Sequence, residues 1–108
     1  MIPQLAPTAL AQWLADAQRE PPLVVDVREP WEFALCSIEA SRLIPLGELE
    51  ARQSELPRDR PLVMVCHTGR RSQYAATLLA QAGFADVHNL AGGVEGWALE
   101  VDPTMKRY

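Results

Sequence analysis

Cys66 is followed by His67, Thr68, Gly69, Arg70, Arg71 and Ser72. This run sets a sulfur nucleophile beside a glycine and two guanidinium groups. It begins where the apolar stretch Leu62-Val63-Met64-Val65 stops and leads into a helical pattern read from Gln73 to Ala82. A cysteine at a strand-to-helix junction lies near backbone N–H groups that have no partner inside the helix, and near the positive end of the helix dipole. Such surroundings favour a thiolate, the form that attacks, and reactive cysteines of this kind sit in partly exposed, electropositive settings. The same concavity binds anions. The reading is therefore a nucleophile at Cys66 with an anion-binding loop around it, made by His67, Thr68, Gly69 and Ser72. Arg71 is expected to stabilise the loop and contact the anion, and Arg70 to steer it.

The elements that must hold this loop can be read from the spacing of apolar residues. Pro7 opens a helix in which Leu10, Trp13, Leu14 and Ala17 form the inward stripe, ended by Glu20-Pro21-Pro22. Leu23 to Val27 is a nearly continuous apolar run, as expected of a strand covered on both faces in a parallel sheet. Asp26-Val27-Arg28-Glu29 stands at its C-terminal end, and Pro30-Trp31-Glu32-Phe33 starts a short helix. Arg42 to Ile44 reads as a strand, Leu46 to Leu56 as a helix, Leu62 to Val65 as a strand, and Val87 to Leu90 as the last strand. Gly83 marks a helix stop, and Ala91-Gly92-Gly93 a turn before a short helix from Val94 to Leu99. The tail from Glu100 to Tyr108 carries no strong signal. Alternating strands and helices predict a parallel α/β sheet. Ligands in such folds bind beyond the carboxyl ends of the strands. Asp26, Arg28 and Cys66 all fall at such ends, so one site is expected to unite them, with Asp26 and Arg28 as a supporting ion pair.

Composition narrows the function. The chain has 108 residues and a formal net charge of −4, with 48% hydrophobic and 22% charged residues. This reads as one ordinary globular domain over residues 1–108. The acidic balance lacks the electrostatic footprint of a nucleic-acid binder. No apolar run reaches membrane-spanning length, and the start Met1-Ile2-Pro3-Gln4-Leu5 lacks a signal-peptide pattern, so the expected location is cytoplasmic, with no membrane partner. Two cysteines and two histidines are too sparse for a zinc site of the usual paired spacing, and no Cys-x-x-Cys is present. His67 reads as a solvated loop residue and His88 as structural. Cys36, between Leu35 and Ile38, reads as a half-buried packing residue. The sharper alternative is a resolving thiol that attacks a sulfur carried by Cys66, which requires close approach of the two.

Four patterns in order then give the chain a likeness. Asp26-Val27-Arg28, Glu32-Phe33, the loop Cys66-x-x-Gly69-x-Arg71 and the late Gly92-Gly93-x-x-x-Trp97 resemble the rhodanese family of sulfurtransferases, in particular its single-domain bacterial members. The resemblance covers nearly the whole chain. It implies a small three-layer domain with a central parallel sheet and helices on both faces. It also implies thiosulfate sulfurtransferase chemistry: Cys66 takes sulfur from a small anionic donor as a persulfide, and a thiol or cyanide acceptor removes it. No metal or organic cofactor is implied. A sulfur-acceptor protein is the alternative partner, making the chain a persulfide relay. Non-catalytic binding modules of this family often lack the cysteine. The chain departs from the family at Cys36-Ser37-Ile38-Glu39-Ala40-Ser41, where Gly-His-Ile-Pro-Gly-Ala is common. Phosphatases and arsenate reductases of the related fold use Cys-x5-Arg; counting from Cys66, that arginine position holds Ser72.

Overall fold

The computed structural model describes residues 1–108, and its elements alternate as the apolar spacing requires. In chain order they are β1 (Gln4–Leu5), α1 (Pro7–Ala15), β2 (Leu23–Asp26), α2 (Pro30–Leu35), β3 (Arg42–Leu43), α3 (Leu46–Arg52), β4 (Leu62–Val65), α4 (Arg70–Gln81), β5 (Val87–Leu90) and α5 (Gly93–Glu100). The strands form one parallel sheet in the order β1-β5-β4-β2-β3.

Successive side chains of a strand point to opposite faces. The central strands show this plainly. Leu23, Val25, Leu62, Met64 and Cys66 pack on one face with Leu49 after β3 and with Ala75, Ala76 and Leu79 of α4. Val24, Val63 and Val65 pack on the other with Leu10 and Trp13 of α1 and Val94 and Trp97 of α5. Each side is thus sealed by its own helices, giving the three layers. Full burial of such aliphatic side chains stabilises the fold by about 1.5–3 kcal/mol apiece.

Several boundaries differ from the sequence reading. Helix α4 starts at Arg70, three positions before Gln73, because Gly69 takes a left-handed φ of 102° and turns the chain into the helix there. Apolar periodicity does not register this, since the first turn carries two arginines. Helix α1 stops at Ala15, leaving Ala17 outside it, and Leu14 is exposed rather than inward. The expected helix Leu46–Leu56 is α-helical to Arg52 and then tightens into a 3-10 turn at Gln53–Glu55. Strand β1 was not foreseen: two residues give no periodicity. It exists through its ladder, with the Asn89 N–H donating to Pro3 O at 3.0 Å and the Ala91 N–H to Leu5 O at 2.9 Å.

Candidate active site

Parallel pairing of β2 with β4 sets Asp26 opposite Val65, and the Val27 N–H donates to Val65 O at 2.9 Å. The residues just beyond these strands, Arg28 and Cys66, therefore emerge at the same edge of the sheet although they are far apart in sequence.

The Cys66 loop is held from outside. The Val94 N–H donates to Cys66 O at 2.9 Å and the Glu95 N–H to His67 O at 3.0 Å, so the start of α5 grips two loop carbonyls. Gly93, at φ 59°, makes that approach possible: a Cβ there would lie 2.4 Å from both carbonyl oxygens. The Asn89 side-chain amide donates to a third carbonyl, Gly69 O, at 3.1 Å. With these carbonyls tied to α5 and β5, one loop N–H faces the sulfur. The Gly69 N–H donates to Cys66 Sγ at 3.1 Å. The N–H groups of His67 and Thr68 have no backbone acceptor, and those opening α4 have no intrahelical one.

Behind the sulfur lies a polar chain. Ser72 Oγ is 3.3 Å from Cys66 Sγ and 2.5 Å from Asn89 Oδ1. Asn89 Nδ2 also donates to Gln4 Oε1 at 2.8 Å. Both amide hydrogens are thus committed, which fixes Oδ1 toward Ser72. The single hydroxyl hydrogen of Ser72 serves Asn89 or the sulfur, one at a time. Asn89 and Gln4 were not singled out from sequence; two adjacent polar residues, His88 and Asn89, within the four-residue strand β5 were the available signal.

The charged groups form a second layer. Asp26 and Arg28 make the expected ion pair, at 2.7 Å, with both side chains buried. Burial alone lowers the pKa of Arg28, but hydrogen bonds with Asp26 and Tyr108 outweigh it and the net shift is upward. Arg28 also donates to Cys36 O at 2.6 Å and to Glu32 O at 3.3 Å, so it holds the start of the segment that departs from the family pattern. Within that segment Ala40 sits at a left-handed φ of 67°.

Arg71, expected both to stabilise the loop and to contact the anion, is engaged by Glu32. Its guanidinium donates to both carboxylate oxygens of Glu32, at 2.7 and 2.9 Å. It fastens α4 to α2, and its charge faces a carboxylate rather than an open anion site. The hydrogen bond from Arg71 holds Glu32 at about 2, below its ordinary 4.5; burial opposes this, and donors from Glu29 and Tyr108 assist. Arg70 is exposed and makes no ion pair or hydrogen bond. Thr68 is also exposed, while Ser72 is buried.

Cys66 itself is 1% exposed, not partly open as the sequence suggested. Its side chain packs on the α4 face of the sheet, whereas the half-buried Cys36 packs on the α1 and α5 face. Both thiols are free. His67 is half-buried rather than solvated, and its Nε2 is enclosed without a partner. The imidazole stacks on the Tyr108 ring at 3.9 Å, with 11° between the planes. His88 lies elsewhere, with Nε2 2.7 Å from Asp86 Oδ1 and its ring edge-on to Trp13. Tyr108 is a third residue that sequence reasoning missed. Its hydroxyl donates to Glu32 Oε2 at 2.7 Å and accepts from Arg28 Nη1 at 2.9 Å. Burial raises its pKa from 10.0 to about 12, with the Glu32 carboxylate adding to this and Arg28 opposing, so it is a neutral donor at ordinary pH.

The sequence model of one family, described as the rhodanese-like domain, matches residues 10–100. The chain belongs to the rhodanese-like family. Its rhodanese-like fold is shared with a rhodanese-related protein from Thermoplasma volcanium, at TM-score 0.82 and 30% identity, covering 92% of this chain and 93% of that one. A protein named Sulfurtransferase from Allochromatium vinosum is 39% identical over 98 residues, or 91% of this chain and 90% of its own length. The Thiosulfate sulfurtransferase GlpE of Pseudomonas aeruginosa is 43% identical over 74 residues, 68% of this chain and 67% of its own. Other rhodanese-like relatives are much longer: the chain spans 26% of the probable adenylyltransferase/sulfurtransferase MoeZ of Mycobacterium tuberculosis, at 37% identity. No helix is long and apolar enough to cross a membrane.

A surface cavity of about 690 Å³ lies between α1, residues 37–40, Trp97 and the tail, and no residue of the Cys66 loop lines it.

Proposed function

We propose that the chain is a sulfurtransferase in which Cys66 carries the transferred sulfur. The observation that carries this reading is the Cys66 loop itself, with its carbonyls tied outward and the Gly69 N–H on the sulfur at 3.1 Å. In the first half-reaction the Cys66 thiolate attacks the outer sulfur of a donor such as thiosulfate. The donor's S–S bond breaks, sulfite leaves with the electron pair, and a persulfide anion remains on the enzyme. In the second, cyanide or a thiolate attacks the terminal sulfur and the Cys66 thiolate returns. In this reading the N–H groups of His67, Thr68 and the start of α4 hold the terminal sulfur, a charge that appears only after the first step. Arg70, exposed and unpaired, attracts the dianionic donor. Arg71 takes the indirect part, fixing the loop through Glu32. The names of the relatives from Allochromatium vinosum and Pseudomonas aeruginosa agree with this chemistry. An acceptor protein in place of a small thiol involves the same steps at Cys66.

A phosphatase-type loop needs an arginine where this chain has Ser72. Ser72 is buried and turned toward Asn89 and the sulfur, and the neighbouring Arg71 is drawn aside to Glu32. Neither surrounds a tetrahedral anion.

Mass spectrometry after mixing with thiosulfate tests the assignment. One sulfur atom is expected on the Cys66 peptide, and Cys66→Ser is expected to abolish both the added mass and thiocyanate formation from cyanide. Full thiocyanate turnover by Cys66→Ser would refute it.

A further inference from the structure

The nucleophile is closed off in this structure, and something must yield before a reagent reaches it. Most walls around the loop are rigid. Gly93 abuts the Cys66 and His67 carbonyls, and the buried Asn89 grips Gly69 from β5. The tail is different. After α5 it folds back through Asp102, which accepts from the Thr104 N–H and hydroxyl, and through Arg107, which pairs with Glu95. It ends with Tyr108 flat against His67, its hydroxyl tied to Arg28 and Glu32 and its ring edge-on to the exposed Trp31. Tyr108 remains 37% exposed and the Arg107 side chain 56%. The Arg107–Glu95 pair is exposed and the Tyr108 contacts are only part-buried, and such contacts open locally more cheaply than a packed core.

We propose that Tyr108 is a positioning residue that holds the His67 side of the Cys66 loop closed, so that the tail selects sulfur donors and acceptors by size. The stack covers one face of the imidazole of the residue next to Cys66, whose Nε2 is enclosed without a partner. The hydroxyl bridge joins the same two residues, Arg28 and Glu32, that anchor the end of β2 and Arg71. With Tyr108 seated, a small reagent reaches the sulfur through slight loop motion, and a bulky one waits for the tail to lift. The proposal rests on Cys66 being the reactive sulfur of the preceding section, and on no particular sulfur donor.

Two neutral thiol reagents of different bulk separate access from reactivity. In both, the Cys66 sulfur attacks a reagent sulfur, the reagent's sulfur–sulfur bond breaks, and the departing group leaves with the electron pair: methanesulfinate from methyl methanethiosulfonate, pyridinethione from dithiodipyridine. Rates are measured on the full chain carrying Cys36→Ser, which leaves Cys66 as the sole thiol, with Tyr108 intact, as Tyr108→Phe, or as Tyr108→Ala. Tyr108→Ala is expected to raise the dithiodipyridine rate by about tenfold and the methanethiosulfonate rate by no more than roughly twofold, a selective opening. Tyr108→Phe keeps the stack without the hydroxyl bridge and is expected to fall between. An unchanged ratio of the two rates in Tyr108→Ala overturns the proposal. So does an equal rise in both rates together with a lower melting temperature, which would mark the tyrosine as merely stabilising. Neither outcome bears on whether thiosulfate loads sulfur onto Cys66, so the two readings fail separately.

Discussion

Arg71 shows how a residue can be legible in sequence while its partner is not. A cation five positions after a nucleophile suggests an anion clamp, but sequence distance does not show that Glu32, on another helix, is nearer its charge. Arg28 behaved as its spacing suggests: two residues from Asp26 at a strand end, it can reach only inward, and the pair is buried. Ala40 is the other instructive position. It lies where the family commonly has glycine, and it adopts the left-handed conformation that glycine takes without strain. An L-residue there costs about 1–2 kcal/mol, partly offset because glycine loosens the unfolded chain. Ala40→Gly is therefore expected to stabilise the protein by roughly 0.5–1 kcal/mol, read as a higher urea midpoint with an unchanged slope. A lower midpoint would show that the surrounding turn, and not the backbone angle, governs this segment.

Among the elements, the grip of α5 on the loop organises the site. The pattern Gly92-Gly93 was visible as a turn, yet its purpose was not, because it depends on what crosses above it. Added at Gly93, a Cβ would lie inside contact distance of the Cys66 and His67 backbone. Gly93→Ala is expected to displace those carbonyls and destabilise the fold by about 2 kcal/mol or more, with backbone strain and overpacking acting together. Sulfur transfer should fall further than stability does, and Gly47→Ala, with nothing near its own Cβ, serves as a control. Retained activity in Gly93→Ala would mean that the loop tolerates a different anchor. The four-residue strands β2 and β4 were legible as short apolar runs, and α1 by the helical spacing of its apolar residues. Strand β1 and the start of α4 were not, since the former is defined by its partner β5 and the latter by one glycine angle.

For the molecule as a whole, the parallel α/β arrangement followed from element order, and the closure of the site by the tail did not. Glu100 to Tyr108 has no periodic pattern, and its place depends on Arg28 just beyond β2, Glu32 of α2 and His67 of the Cys66 loop. One of those side chains, the Glu32 carboxylate, couples stability to acid. The Glu32 carboxylate titrates at about 2 in the fold against an ordinary 4.5, so the unfolded chain binds the proton first as pH falls. Its contribution is fully present above the ordinary value and is lost progressively from there down through the folded one. Urea unfolding between pH 6 and 2 is expected to show this decline, over about the window those values set. Arg71→Ala, which removes the chief cause of the low value, should flatten it; an identical pH profile in that variant would disconnect the ion pair from acid sensitivity. The order of the strands has one more consequence. The four-residue strands β2, β4 and β5 lie inside the sheet, and both borders are two-residue strands, β1 and β3. An open border is where a second chain adds its own strand and aggregation begins. Here each border presents so short a row of unpaired backbone that an intruding chain gains little by docking. Brevity at the margins thus guards a sheet whose centre is strongly apolar.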